Sequence, residues 1–443
     1  MDLAPQLAID EETVCAGDDV LRTDAFRFTP TRGTRILDRS EKLLNWSRGR
    51  IRHGVWPYFR TFHTGLTPRA TVAGEDGRVT TGLNFGAQDY LSLSTHPQVR
   101  TAAERALREY GPITAGSLAL NGGMPIGAEL GDLIADTLDF THTLLFPTGW
   151  AAGYGTIHAL VNKHDHVVLD ELAHNSLRQG ATASTTNIRY FTHLDSSSVR
   201  AHLTRIRATD PKNQILVVTE GIFSMDSDAL DIRELIGICR EFDAVLLVDI
   251  AHDFGALGPG GTGQLGVQDV LHEVDLVVGA FSKSFATTGG FLVTRSAAVR
   301  EYVRLFGGPQ TFSSALTPVQ LAVALESLRI IRTAEGDQRR AAVAAVATRL
   351  RAGLRELGHR PIGNVVSPVV PVLVGDTPTA RIAWRLANEH GVIANLAEPP
   401  GVPSGQARFR LQAMADHTES DADEVVRVLD NAIRTAEAAL GRS

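Results

Sequence analysis

In the stretch "VVGAFSKSFATTGGFLVT", residues 277–294, one charge stands among small and apolar neighbours: Lys283. Burying an ammonium group is costly, because desolvation disfavours the charged form and lowers its pKa. A lysine in such a place either reaches out to water or serves as a neutral, nucleophilic amine. Three other stretches bring capable residues to the ends of apolar runs. "LLFPTGWAAGYG" carries Thr148, Gly149 and Trp150 where a strand gives way at once to a helix, and amides at a helix N-terminus bind phosphate well. "HVVLDELAHNS" brings Asp170 and His174, and "LLVDIAHDFG" brings Asp249 and His252. Singly, each has a plainer explanation, such as a tight turn at Gly149 or a helix cap at Asp249. Metal ligation by His166, Asp170 and His174 would need helical spacing. The valine pair and the preceding turn favour a strand, so no metal site is read here.

Together the four stretches make a stronger case. Lys283 offers an amine for a Schiff base, and Asp249 a carboxylate for a ring nitrogen. Thr148 to Trp150 offer a phosphate cradle, and His174 a flat group to stack on a ring. Pyridoxal 5'-phosphate (PLP), whose ring acts as an electron sink, needs each of these. A lysine of lowered pKa is then what the chemistry demands.

These residues must be held by a sheet. Seven short apolar runs recur, "HTLLFPTG", "HVVLDEL", "NIRYFTHLD", "QILVVTEGIFS", "AVLLVDIAHDF", "DLVVGAFSKSF" and "GGFLVTRS". Helical segments such as 150–161 and 231–242 lie between most of them, which predicts a buried, mostly parallel sheet. The last two runs are too close for a crossover helix, so one strand runs antiparallel. The expected class is therefore α/β, a mostly parallel seven-stranded sheet with one antiparallel strand. "ATVAGEDGRVTTGLNF" reads as a hairpin and "ILDRSEKLLNWSRGRIRHG" as a helix. The expected division is an N-terminal arm and small segment over 1–83, a large PLP-binding domain over 84–325 and a C-terminal α+β domain over 326–443. Up to Asp24 the chain is patternless and is expected to be a mobile arm.

Composition narrows the classes. Hydrophobic residues make up 43% and charged residues 21% of the 443, as in an ordinary soluble globular protein of more than one structural region. A formal charge of -7 and the absence of a basic run speak against nucleic acid. No apolar run is long enough to span a bilayer, and the acidic N-terminus lacks a signal-peptide core. Cys15 and Cys239 make no disulfide framework, so a cytoplasmic setting is expected, with Cys239 a packed core residue.

The motifs "DELAHNS", "VTEGIFSMDSD", "LLVDIAHDFGALGPGGTG" and "GAFSKSFATTGGF" resemble, in order, those of the α-oxoamine synthases. The resemblance extends to "NFGAQDYLSLSTHP" upstream and to "TFSSALTP" and "GQARFRLQAMADHT" downstream, from about Val55 to the end. It implies PLP fold type I, aspartate aminotransferase-like, in which Lys283 forms the Schiff base with PLP and moves the substrate Cα proton, with Ser282 beside it at the cofactor. Asp249 would keep the pyridine nitrogen protonated, and His252, with Ser224, would bond the phenolic oxygen. His174 would stack on the ring while Thr148, Gly149 and Trp150 hold the phosphate. Ser313 or Ser314 would reach the phosphate of the neighbouring subunit, making a homodimer with shared active sites. Arg410 would bind the amino acid carboxylate, a task suited to a guanidinium fork, with Arg408 a surface or structural partner.

This sequence departs from the family where substrate binds. Gln88 replaces an asparagine, Ala280 a threonine, Leu118 an arginine and Gly127 a histidine, and Ile250 stands within "VDIAH". The implied reaction joins a small α-amino acid to an acyl thioester, of coenzyme A or an acyl-carrier protein, in a decarboxylative Claisen-type condensation. The departures point to a specialised-metabolism member. Rival readings are an aminotransferase or carbon–sulfur lyase of the same fold, or a non-catalytic partner subunit.

Overall fold

The structure, a computed structural model, describes residues 18–29 and 32–441. Most of the expected arm, with Cys15, lies outside the described residues. Fifteen strands form among the described residues. In chain order they are β1 (Thr61–Phe62), β2 (Arg69–Ala73) and β3 (Val79–Asn84), then β4 (His142–Phe146), β5 (His166–Asp170) and β6 (Ile188–Phe191). Next come β7 (Ile215–Glu220), β8 (Val245–Asp249), β9 (Leu276–Ala280) and β10 (Gly290–Thr294). The last are β11 (Arg360–Pro361), β12 (Val369–Gly375), β13 (Val392–Ile393), β14 (Asn395–Ala397) and β15 (Ala407–Gln412).

The chain divides into two compact units. One comprises Gln88–Ser224 and Asp228–Ala341 and is built on a seven-stranded sheet in the order β4-β10-β9-β8-β7-β5-β6. From β9 to β6 neighbouring strands pair in parallel, whereas β10 is antiparallel to both β9 and β4. The nine residues between Ala280 and Gly290 are too few for a crossover, as the sequence predicts. Strands β5, β7, β9 and β10 are buried at every position, which is why they read as unbroken apolar runs rather than as alternations. Leu169, Val218, Leu247, Val278 and Leu292 share one core cluster with Ala152 and Ile157 of the helix Gly149–Leu160 and Leu177 of the helix Asn175–Ser184. Each such aliphatic chain contributes about 1.5–3 kcal/mol by leaving water. Side-chain caps start the helices where turn residues meet apolar periodicity: Asp231 accepts from Glu234 N, and Thr317 forms a capping box with Gln320.

The other unit takes the described residues up to Ala87, Met225–Ser227 and the described residues from Ala342. It carries two four-stranded sheets, β1-β2-β3-β13 and the antiparallel β11-β12-β15-β14. The hairpin expected at "GEDG" is β2 with β3. One finding corrects the sequence reading here, and another decides between two alternatives it left open. Asp18–Leu21 is helical, Leu21 is buried, and the carbonyls of Val20, Leu21 and Thr23 accept from Arg381 Nη1 at 2.7–3.0 Å. A fully buried guanidinium needs acceptors, and this end of the expected arm supplies them. Arg408 is 1% exposed and bonds Met225 O and the Asp226 carboxylate, so it is a structural partner and not a surface one. Cys239, in the first unit, is the packed core residue it was expected to be.

Candidate active site

In a parallel sheet, ligands bind in the crevice beyond the carboxyl ends of the strands. A cavity of ≈ 370 Å³ opens there. β7 and β8 deliver Glu220 and Asp249 as their last residues, and β9 leads through Ala280 to Ser282 and Lys283. After β4 the chain turns at Thr148 into Gly149 and Trp150, and after β5 it reaches His174. Because β10 runs the other way, its entry residues Thr288 and Gly289 reach the same edge. All of these, with His252, line the cavity. Thus eight of the residues singled out in the sequence come together: Thr148, Gly149, Trp150, His174, Asp249, His252, Ser282 and Lys283.

Local chemistry fixes each one. Thr148 caps the helix Gly149–Leu160, its hydroxyl accepting from Ala151 N at 3.0 Å. Glycine is required at 149 by close approach, since a Cβ there would fall 2.4 Å from Ala280 Cβ. Trp150 stacks on Tyr154, one turn on, with ring centroids 4.9 Å apart. His174 caps the next helix: Ser176 N donates to its Nδ1 at 3.3 Å, which leaves the ring proton on Nε2. His252 Nδ1 lies 2.9 Å from the hydroxyl of the buried Tyr90.

The electrostatics are unusual. Glu220 and Asp249 are direct neighbours across the β7–β8 pairing, and they are 4% and 8% exposed. Burial lifts both carboxyl groups above the ordinary range; the Asp249 charge adds to the rise at Glu220, while His174 and Lys283 oppose the rise at Asp249. Glu220 Oε1 accepts from His174 N at 2.6 Å, and Asp249 Oδ1 from Ala251 N at 2.9 Å. His174 is reachable through the cavity yet ringed by protein. That burial lowers its pKa, with Asp249 opposing and Lys283 adding to the fall. Two adjoining buried acids call for a cation between protein and ligand, a helix N-terminus calls for an anion, and Lys283 offers an amine to a carbonyl. A ring nitrogen that holds a proton, a phosphate and an aldehyde meet those demands, so the residues present fit PLP.

Other expected residues lie elsewhere. Gln88 and Ser224 are half-buried in the same unit and do not line the cavity. Ser313 is half-buried and Ser314 exposed, beside Phe312 at 90% exposure, and neither lines this chain's own cavity. Arg410 belongs to the other unit, buried on β15. Asp170 is taken up by structure: its carboxylate accepts from Leu172 N and pairs with His193, which also meets Asp228. Sequence reasoning missed Glu220, Ala251, Thr288, Gly289 and the Tyr90 support of His252. Only Glu220 gave a signal, an acid closing the apolar strand "ILVVTE" just as Asp249 closes the next.

Residues 80–429 match the family described as aminotransferase class I and II. A serine palmitoyltransferase from S. paucimobilis, a lysine-to-alanine variant with a bound PLP–myriocin aldimine, is 29% identical with a TM-score of 0.85. That match covers 91% of this chain and 100% of the other. A serine palmitoyltransferase with a PLP internal aldimine is also 29% identical, covering 92% and 100% with a TM-score of 0.84. The 8-amino-7-oxononanoate synthase of Francisella tularensis, 21% identical over 80% and 98% with a TM-score of 0.66, shares the fold. The chain belongs to the aminotransferase class I and II family, among its α-oxoamine synthases.

Proposed function

We propose that the chain condenses a small α-amino acid with an acyl thioester, of coenzyme A or an acyl-carrier protein, to give an α-amino ketone, carbon dioxide and free thiol. It is a PLP-dependent enzyme of the acyltransferase type. The observation that carries this reading is the meeting of Lys283, the Glu220–Asp249 pair, His174 and the start of the helix Gly149–Leu160 in one cavity. Bound there, the cofactor supplies a sink for the electron pair left on the amino acid's Cα.

The chain's own residues do the rest. Lys283 Nζ takes the proton from Cα and returns one to the product carbon. Asp249 holds a proton on the ring nitrogen, and Glu220, beside it, keeps that wall acidic and fixes the backbone of His174. His174, a neutral imidazole in keeping with its lowered pKa, would stack on the ring. His252, aimed by Tyr90 and joined by Ser224, donates to the phenolic oxygen. The amides of Gly149 and Trp150 and the Thr148 side chain would hold the phosphate. Ser313 or Ser314 completes the phosphate site of the neighbouring subunit in a cytoplasmic homodimer; the exposure of this loop and its absence from the chain's own cavity support that role. Arg410 binds the carboxylate until it leaves as carbon dioxide, and Gln88 lies on the substrate side.

The test supplies PLP, one amino acid at a time and a panel of acyl thioesters, and follows free thiol and carbon dioxide together. Equal release of both, lost in Lys283→Ala, is expected. Accumulation of a keto acid with the thioester intact would instead make the chain an aminotransferase.

A further inference from the structure

The chain as a whole is acidic, at -7, yet from Arg32 to Arg52 seven Lys and Arg residues stand against two acids, Asp38 and Glu41. Arg50 is withdrawn: it is fully buried, pairs with Glu398 at 2.7 Å and donates to Val55 O. Arg32, Arg35, Lys42, Arg48 and Arg52 are exposed. Arg35 meets Asp38 at 3.6 Å, but a pair so open to water holds neither charge firmly. Among these cations stand two adjacent aliphatic side chains, Ile36 and Leu37, 74% and 75% exposed. They sit in the turn that feeds the helix Glu41–Arg52, where Ser40 donates to Leu37 O from both its N–H and its hydroxyl. The helix itself has two faces. Trp46, Gly49 and Arg50 are buried and fix it to its unit. Leu44, Arg48 and Arg52 follow one another at one-turn spacing on the outer face, and Leu44 is 45% exposed.

We propose that this face docks on an anionic lipid surface, with Ile36 and Leu37 entering the headgroup layer and the exposed cations resting on lipid phosphates. Two aliphatic chains left in water gain by entering an apolar layer. Cations on long stems settle on a sheet of negative charge without the matched partners that a protein surface has to place one by one. Basic and aliphatic residues together on one outer face are what an interfacial contact needs, and a helix of 12 residues is too short to cross the bilayer. The helix Ala297–Phe306 in the other unit offers a contrast. It exposes Leu305 and Phe306, but Glu301 pairs with both Arg300 and Arg304, which leaves that face little cationic excess.

The full chain, loaded with PLP, is sedimented with vesicles of phosphatidylcholine alone and with vesicles containing about one-third phosphatidylglycerol. Binding to the anionic vesicles should be about tenfold stronger or more, and should weaken by about tenfold or more as salt screens the surface. Lys42→Ser with Arg48→Ser should weaken it about 25-fold, at about fivefold per cation. Ile36→Ser with Leu37→Ser should weaken it about tenfold and leave the salt dependence in place. All four side chains are exposed, so both double variants should unfold at the wild-type denaturant midpoint. Equal binding to the two kinds of vesicle, or anionic binding that survives both double variants, overturns the proposal. Binding to neither overturns it too, and returns the face to an acidic protein partner. So does a changed oligomeric mass in Ile36→Ser with Leu37→Ser at unchanged vesicle affinity, which gives the face to a second copy of the chain. No turnover is needed, so the outcome stands apart from the synthase reading.

Discussion

Two buried acid clusters in this protein have opposite characters. In one unit Glu398 lies between the fully buried Arg50 and Arg381, and the pull of these cations outweighs burial, so its carboxyl group sits below the ordinary range. In the other, Glu220 and Asp249 are equally buried, and both sit above it. Burial is common to the two; the difference is the countercharge. Glu398 has all of its partners in the chain, which marks a structural brace. At Glu220 and Asp249 the nearby Lys283 and His174 do not offset burial, which marks a place built to take a cation from a ligand.

That contrast can be broken by substitution. Lys283→Ala should have the largest effect, lowering turnover by ~10⁴-fold or more with an unchanged circular dichroism spectrum. Glu398→Gln leaves two guanidinium groups buried with their charge uncompensated and should cost about 3–5 kcal/mol in denaturant unfolding. Asp253, fully buried and accepting from Gln264 N, is pushed up to about 7 by burial, with the Asp249 charge adding to it. The folded state then holds this proton more tightly than the unfolded chain, so stability falls as pH rises from about 4 through 7, by about 4 kcal/mol in all. Asp253→Asn should flatten that slope in unfolding curves taken across the range. Asp249→Asn should lower kcat by about 10²–10³-fold yet leave the cofactor-free protein at least as stable as wild type above pH 7, the opposite of Glu398→Gln. If both acids destabilise alike when neutralised, the contrast is gone. The smallest effect falls to Tyr90→Phe, which removes one hydrogen bond to His252 and should cost about 1 kcal/mol in kcat/KM, with a shifted pH profile.

The sheet was legible because doubly buried strands leave unbroken apolar runs, and because a nine-residue link between β9 and β10 cannot hold a crossover helix. Strand ends located most of the cavity for the same reason. What escaped were pairings across long stretches of chain. Tyr90 meets His252 across 162 residues, and Arg381 meets Val20 across 361. Nothing local marks Tyr90 as a partner of His252, or residues 20–23 as acceptors for a buried guanidinium. For Arg408 the sequence left surface and structural roles open, because its partner Asp226 is 182 residues away. Glu220 was the avoidable miss, since its place at the end of β7 repeats that of Asp249 at the end of β8.

The central claim, that Lys283 and the Glu220–Asp249 pair form a cofactor site, is tested most directly by visible absorption of the purified protein with PLP. A band of lysine-bound cofactor should appear, shift on addition of one small amino acid, and be absent from Lys283→Ala. A protein that stays colourless with PLP, or a band unchanged in Lys283→Ala, would contradict it.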